Sequence, residues 1–483
     1  MKLSQLTALL PGSVRHGSRD PRITRVDYDS RRVQRGSLFV AVEGYQTDGH
    51  RFIGEAYAAG AAAAAGRWMP PEASGMPFLV VPDSRRALAV CSGAVTDHPD
   101  RSLDLAGITG TNGKTTTAYL LSDILAKAQG RSGLISTVET RIGDERKPAQ
   151  RTTPEAPDIY GLLLEMKRSG CKSAVMEISS HALELQRVYG MKFAAIAFTN
   201  LTQDHLDFHG DVESYFRAKA RLFLEYDWET AVINADDPFG ARLLRMIRRP
   251  ALSYSLEDAG EVRATALSLS AQGIQLTADT PRGAVEVRCP IVGRFNAYNL
   301  LCALGICEAL NLPQDCFVEA ARGFRGAPGR MERFDLQNRW VYVDYAHTPD
   351  ALEKALRELK AILPGPLAVL FGCGGNRDRS KRPLMGAIAE RLADRVILTS
   401  DNPRDETPQT ITEAILAGME NPRRVVRILD RREAIRTALE ELPEGGALLI
   451  AGKGHETYQE IRGVRHPFDD REEVRRFIAG GKA

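Results

Sequence analysis

One stretch constrains this chain more than any other: Gly107-Ile108-Thr109-Gly110-Thr111-Asn112-Gly113-Lys114-Thr115-Thr116-Thr117. Leu103, Leu105 and Ile108 have the spacing of a short strand, and Leu121, Ile124, Leu125 and Ala128 recur at helical spacing, so the glycines fall in a strand-to-helix turn. Such a turn presents backbone N–H groups to an anion, glycine permits the close approach, and the helix N-terminus adds partial positive charge. Lys114 can then reach outer phosphates, and the Thr115 hydroxyl can hold Mg²⁺. The usual phosphate loop has a glycine five residues before Gly113; that position is Ile108, and the second glycine is Gly110. A plain glycine-rich loop before an amphipathic helix is the competing reading, and the Lys-Thr pair directly after Gly113 argues against it.

A chain of 483 residues holds about three domains, each able to bury its own core. Lys and Arg number 64 and Asp and Glu 62, so a net charge of +2 provides no global field for nucleic acid or an acidic membrane. Partners must be found at local sites. Seven cysteines without a CxxC pair argue against a disulfide framework and a zinc site, and suit core positions in a reducing cytoplasm. The most apolar run, residues 56–65, is too short and alanine-rich to span a bilayer, so no membrane insertion is expected.

Residues 1–100 form a first unit, a small α/β domain with buried strands at 38–42 and 78–81 and an alanine-rich helix at 56–65 between them. Two polar segments, Asp29-Ser30-Arg31 and Tyr45-Gln46-Thr47-Asp48-Gly49-His50, lie beside strands. Each is either a ligand contact or a solvated turn.

Residues 101–329 form the second unit. Beyond the phosphate loop come Thr152-Thr153-Pro154 and a strand at 174–178 that carries Glu177 and Ser179-Ser180-His181 to its carboxyl end, the ligand edge of a parallel sheet. A strand at 194–198 ends in a loop, residues 199–210, that holds Asp204, His205, Asp207 and His209. A carboxylate and an imidazole on neighbouring strand ends suit Mg²⁺ shared with a nucleotide, which singles out Glu177 and His205. In the helical segment 215–223, Tyr215, Lys219 and Phe223 share one face. Lys219 has two readings. It can snorkel with its ammonium in water, or burial can favour the neutral amine, which adds CO₂ to become a carbamate able to bind metal. Asn296 and Asn299 stand where a helix begins and read as caps, and residues 326–330 read as a linker.

From 330 to 483 a third unit repeats strand, polar loop and helix. Strands at 341–343, 367–371, 396–398 and 448–450 lead into loops 344–349, 372–378, 399–404 and 451–456. A parallel sheet would bring these four loops to one edge, as one ligand site.

Together Thr109 to Thr116, Glu177-Ile178-Ser179-Ser180-His181, Asn200 to His205, Lys219, Gly293 to Asn296, Asp344-Tyr345-Ala346-His347 and Gly452-Lys453-Gly454-His455-Glu456 resemble the Mur ligase family of ATP-dependent, amide-bond-forming enzymes of bacterial cell-wall synthesis. The resemblance spans nearly the whole chain in order. It implies an α/β fold in three domains: a UDP-binding N-terminal domain, a central P-loop-type domain with a mostly parallel sheet, and a C-terminal Rossmann-like doubly wound domain. Asp401-Asn402-Pro403-Arg404 resembles the loop of the member that adds meso-diaminopimelate to UDP-N-acetylmuramoyl-L-alanyl-D-glutamate (the UDP-MurNAc-dipeptide). An acyl phosphate formed from ATP would be attacked by the amine.

In the implied roles Gly110, Thr111, Asn112, Gly113, Lys114, Thr115 and Thr116 bind ATP phosphates, and Thr115, Glu177, His205 and a carbamate on Lys219 serve Mg²⁺. Lys114, Lys219, Glu177 and His205 form the catalytic set, and Asn296, Arg330, Asp344 and His347 hold nucleotide. Tyr28, Ser30, Tyr45, Gln46 and Thr47 would meet the uridine end; Arg151, Thr152, Thr153, Ser179, Leu185 and Arg187 the muramoyl peptide; Arg377, Asp401, Asn402, Pro403, Arg404, Gly452 and Glu456 the incoming amino acid. Arg404 would grip the second carboxylate that distinguishes diaminopimelate from lysine. Arg151 and Leu185 depart from relatives that carry asparagine and glutamine there. A monomer is expected. The alternatives are a ligase of the family that adds L-lysine, a folate-extending ligase, which has no use for a UDP-binding unit, and a nucleotide-binding protein without ligase chemistry.

Overall fold

The computed structural model describes residues 1–44, 47–204, 206–257 and 260–480. The chain divides into two compact units: Met1–Arg263 with Thr280–Arg282 and Leu301–Phe317, and Ala264–Asp279 with Gly283–Leu300 and Val318–Ala483.

In the first unit a five-stranded sheet runs in the order Val14–His16, Phe78–Val80, Ala63–Gly66, Ser37–Val40, Arg25–Asp27. The first pair is antiparallel and the rest are parallel. Alternate residues go to opposite faces: Leu38, Val40, Ala63, Ala65 and Leu79 enter one core, while Phe39, Ala41, Ala64 and Phe78 enter another. The alanine run therefore departs from the expected single helix. A helix covers Ile53–Ala58, Gly60 breaks it at φ +96°, and Ala63–Gly66 is a strand. Alanine's helix preference is worth at most roughly 0.7 kcal/mol per residue over ordinary residues, a weak prior that burial on both sheet faces overrides.

The strands of a second sheet that lie in this unit run Ala251–Ser255, Asp227–Asn234, Lys192–Phe198, Asp104–Thr109, Ser173–Glu177, Ser132–Ile135, Glu139–Ile142, Glu145–Pro148. Only the last two pairings are antiparallel. Asp104–Thr109 lies between two parallel neighbours, with Ile108 opposite Glu177 and Thr109 opposite Phe198. This register brings three carboxyl-end loops together.

In the second unit a sheet runs Glu332–Asp335, Trp340–Asp344, Ala447–Ala451, Leu367–Phe371, Arg395–Leu398, Val426–Arg427. All pairings but the first are parallel. Tyr342, Val369 and Leu449 face a core with the helices Pro349–Ile362, Lys381–Leu392 and Pro408–Leu416, while Val343, Leu370 and Ile450 face one with Arg431–Glu440 and Asp470–Ile478. The sheet is doubly wound, as its repeating rhythm predicts. Residues 326–330 are tied to the loop after Ala447–Ala451 rather than slack: Gly329 sits at φ +63°, and a Cβ there would collide with the backbone of Gly454 and His455. All seven cysteines are free, and all but Cys316 are buried. Among the described residues no helix is long and apolar enough to cross a membrane.

Candidate active site

The loop after Asp104–Thr109 leads into the helix Lys114–Gln129 through Gly113 at φ +87°. Its shape is imposed by the neighbouring strand end. Thr111 N–H donates to Asn200 O (2.8 Å), Asn112 N–H to Asn200 Oδ1 (3.0 Å), and Thr199 Oγ1 to Asn112 O (2.6 Å). Gly110 sits at φ +148°, where a Cβ would collide with Thr199 Oγ1. The result is a cradle of bare backbone at the start of a 16-residue helix, with Thr115 and Thr116 buried in its first turn. Backbone closeness and helix dipole both suit phosphate. Lys114 Nζ donates to Gly110 O and Thr111 O, each at 2.8 Å.

Glu177 is fully buried beside this loop. Its carboxylate accepts from Thr115 Oγ1 (3.0 Å), Thr137 N–H (2.9 Å) and Thr137 Oγ1 (3.1 Å). Carboxylate and hydroxyl oxygens are hard donors of the kind Mg²⁺ takes, and the pair fits that ion. His205 lies outside the described residues, and among those described no cluster of three His, Cys, Asp or Glu stands ready for a metal. His209 from the same loop bonds Ser180 Oγ (2.9 Å), and His181 packs on Phe208 with ring centroids 4.0 Å apart.

Lys219, in the helix Val212–Leu224, overturns the snorkelling reading. It is 1% exposed, its Nζ donates to Gly110 O at 2.8 Å, and that nitrogen lies 4.5 Å from the Tyr215 ring centroid. Burial and the nearby Lys114 charge push its pKa well below the usual lysine range, against the pull of Asp204.

The residues expected on the acceptor side lie in the same unit. Thr153 Oγ1 donates to Glu177 O (2.8 Å) and accepts from Ser179 N–H (3.0 Å), Thr152 Oγ1 lies 3.1 Å from Thr137 Oγ1, and Arg187 donates to Thr153 O (2.9 Å). Arg151 and Arg187 both pair with Glu155, at 3.0 and 2.8 Å. Leu185 is partly buried and ends the short helix Ser180–Glu184. Tyr28 Oη and Arg32 reach Asp158 on the helix Ala156–Arg168, at 2.8 and 2.7 Å, and burial with that carboxylate pushes the Tyr28 phenol up to about 12. Ser30 Oγ donates to Glu55 (3.1 Å), and Thr47 O closes a turn on Gly44 N–H (3.0 Å), while Tyr45 and Gln46 lie outside the described residues. Thr137, Glu155 and Asp158 carry no signal in the sequence, because their contacts with Glu177, Arg187 and Tyr28 join residues distant in the chain.

In the second unit Asn296 does not cap its helix. Its amide donates backwards to Val292 O (2.8 Å), and its oxygen accepts from Asn299 (2.9 Å). Asp344 accepts from Met331 N–H (2.7 Å) and Ala346 N–H (2.9 Å), and burial raises its pKa against the pull of Arg330. Arg330 lies over the Tyr345 ring at 4.5 Å, with His347 and His455 rings 4.5 and 5.0 Å from it. Arg330 Nε and His455 Nδ1 are buried without a hydrogen-bond partner among the described residues, which suits contact with a polar ligand.

The four polar loops converge as expected. Gly375 N–H donates to Asn402 O (2.9 Å), Arg404 donates to Gly375 O (2.7 Å), and Asn402 donates to Glu456 Oε2 (2.7 Å). Lys381 reaches His347 O (2.7 Å). Pro403 is buried and Arg377 exposed. Asp401 Oδ1 accepts from Asn402 N–H (2.6 Å), and a Cβ at Gly452 would lie 2.6 Å from Asp401 Oδ2. Arg404 holds a left-handed φ of +51°, and its guanidinium is partly committed to Gly375 O and lies 3.6 Å from Glu460. Behind the loops the fully buried Arg431–Asp470 pair (2.7 Å) reaches the carbonyls of Ser400 and Ala451, the last residues before Asp401 and Gly452.

Burial and surrounding cations, Arg330 first among them, hold His455 down to about 3. Unfolded histidine titrates near 6.5, so between pH 6.5 and 3 the unfolded chain takes up a proton that the folded chain refuses, and stability falls as pH falls. His455→Gln removes this contribution. Urea midpoints measured from pH 7 to 4 should decline more steeply for the parent than for the variant; parallel curves would contradict the assignment.

The sequence matches three family models: "Mur ligase family, catalytic domain" over residues 22–96, "Mur ligase middle domain" over 108–307 and "Mur ligase, glutamate ligase domain" over 329–454. A protein of Bacillus licheniformis called UDP-N-acetylmuramoyl-L-alanyl-D-glutamate–2,6-diaminopimelate ligase is 42% identical over 99% of this chain and 99% of its own. One of the same name from Chlorobaculum tepidum is 47% identical over 93% of this chain and 91% of its own. A solved structure of that name superposes with a TM-score of 0.75 at 34% identity, covering 100% of this chain and 99% of the other. The folylpolyglutamate synthase of Mycobacterium tuberculosis shares the fold at 19% identity, with a TM-score of 0.62 over 77% of this chain and 92% of its own. With phosphate cradle, buried lysine and convergent strand-end loops in the family's order, the chain belongs to the Mur ligase family.

Proposed function

We propose that this chain is an ATP-dependent ligase that joins meso-diaminopimelate to the D-glutamyl carboxylate of UDP-N-acetylmuramoyl-L-alanyl-D-glutamate, a step of peptidoglycan precursor synthesis. The phosphate cradle backed by Glu177 carries the reaction class. The names of relatives at 42% and 47% identity narrow the substrates.

A carboxylate is a poor electrophile, so the D-glutamyl oxygen first attacks the γ-phosphorus of ATP and releases ADP. The amine of diaminopimelate then adds to the acyl phosphate carbon, and phosphate leaves with the oxygen that came from the carboxylate. In such chemistry the protein contributes mainly positioning and charge stabilisation. Lys114 and the amides of residues 110–116 hold the phosphates. Thr115, Glu177, His205 and Lys219 would hold Mg²⁺, which would supply neutralisation of charge on the transferring group. The Lys219 amine, its pKa lowered by burial, would add CO₂: the nitrogen forms the N–C bond as one C=O π bond opens onto oxygen, the N–H proton passes to solvent, and the resulting carbamate would supply an anionic oxygen arm. Asn296, Arg330, Asp344 and His347 serve the nucleotide.

Tyr28, Ser30 and residues 45–47 serve the uridine end, and Arg151, Thr152, Thr153, Ser179, Leu185 and Arg187 the muramoyl peptide. Arg377, residues 401–404, Gly452 and Glu456 take the amino acid, with Arg404 directed to its second carboxylate. We take residues 1–100, 101–329 and 330–483 as the working domains of a cytoplasmic monomer.

Phosphate release from ATP should require both the UDP-muramoyl dipeptide and meso-diaminopimelate, with L-lysine at least tenfold poorer in kcat/KM. Equal turnover of the two amino acids would overturn the specificity, and release with neither acceptor would overturn the ligase. Lys219→Ala should lose at least a hundredfold in kcat with ATP binding retained; full ligation by that variant would remove the carbamate.

A further inference from the structure

Lys453 is 0% exposed, in a position that the roles assigned above leave unused. A buried ammonium is costly unless paired and hydrogen-bonded, so its partners show what the burial serves. Its Nζ donates to Asn402 Oδ1 (3.2 Å) and Glu456 Oε2 (3.1 Å). Asn402 donates to the same Glu456 Oε2 at 2.7 Å and accepts from Glu460 N–H at 2.9 Å. Both donors thus meet one oxygen of Glu456, and Oε1 has no hydrogen bond among the described residues.

The flanking sequence turns the lysine inward. Gly452 and Gly454 adopt φ of +114° and +52°, conformations L side chains rarely take. A Cβ at Gly452 would press on Asp401 Oδ2 at 2.6 Å, and one at Gly454 would lie 2.6 Å from Gly329 O and 2.7 Å from Tyr345 Cβ. Glu456 itself keeps 19% of its side chain exposed while Lys453 keeps none, so the lysine is the buried member of the pair. A carboxylate held by one oxygen presents the other at a fixed angle, and an ammonium is the complementary ligand.

We propose that Lys453 is a positioning residue for the incoming amino acid: with Asn402 it pins Glu456 Oε2, so that Oε1 receives an ammonium group of the substrate. This rests on the assignment of Glu456 to the amino acid made above. Lys453 touches no reacting atom and acts through Glu456 alone.

Steady-state kinetics of the full-length enzyme test the idea with Lys453→Met, Glu456→Gln and the double variant. Lys453→Met should raise KM for meso-diaminopimelate at least tenfold, leave KM for ATP and for the UDP-muramoyl dipeptide within twofold, and add nothing in the Glu456→Gln background. Methionine keeps the volume but leaves Glu456 without its cationic partner, so a lowered melting temperature is expected and the kinetics are read well below it; should it fail to fold, Lys453→Gln takes its place in the same cycle. If Glu456→Gln raises the amino-acid KM but Lys453→Met does not, or if the two effects multiply, the positioning role is overturned and the substrate assignment stands. If Glu456→Gln leaves that KM unchanged, the assignment falls and the proposal with it.

Discussion

Two lysines share one acceptor: Lys114 and Lys219 both donate to the carbonyl of Gly110 at 2.8 Å. Two ammonium charges at such range repel by roughly 4 kcal/mol at 4 Å separation and an effective dielectric of about 20. Burial and the Lys114 charge both act on Lys219, and its pKa falls well below the usual lysine range. The arrangement depends on Gly110 lacking a Cβ, on Thr199 and Asn200 holding the loop, and on the register of Asp104–Thr109 between its parallel neighbours. A buried amine is therefore kept beside a phosphate cradle by the fold itself.

The second unit solves the opposite problem. Its strand-end loops gather acids, Asp401 and Glu456, at a site assigned to an amine, and like charges in one buried place need compensation. Buried Arg431 with Asp470, and Lys453 with Asn402, stand beside them. The same parallel-sheet geometry serves both units, since each strand leaves its functional loop at the carboxyl edge.

Much of this was legible in the sequence, for physical reasons that differ by residue. Strands buried on both faces read as apolar runs, so 367–371, 396–398 and 448–450 were recognisable, and with them the edge where their loops meet. Gly110 and Gly113 were legible because a backbone cradle requires them. The alanines at 63–65 were misassigned to a helix because propensity is local and sheet burial is not. Lys219 showed its helix face but not its direction, which only the packing of Tyr215 and the Gly110 carbonyl decides. Asn296 had the place of a cap but turns its amide to Val292. Thr137, Glu155 and Lys453 carry no local signal beyond, for the last, the glycine on either side.

The central claim is that an activated D-glutamyl carboxylate is built on the phosphate cradle and then meets an amine. Oxygen transfer reports this directly. With ¹⁸O in the D-glutamyl carboxylate of the UDP-muramoyl dipeptide, ATP and meso-diaminopimelate, mass spectrometry should find one ¹⁸O in each inorganic phosphate formed with product. Unlabelled phosphate accompanying the same amide product would contradict the acyl phosphate and the account built on it.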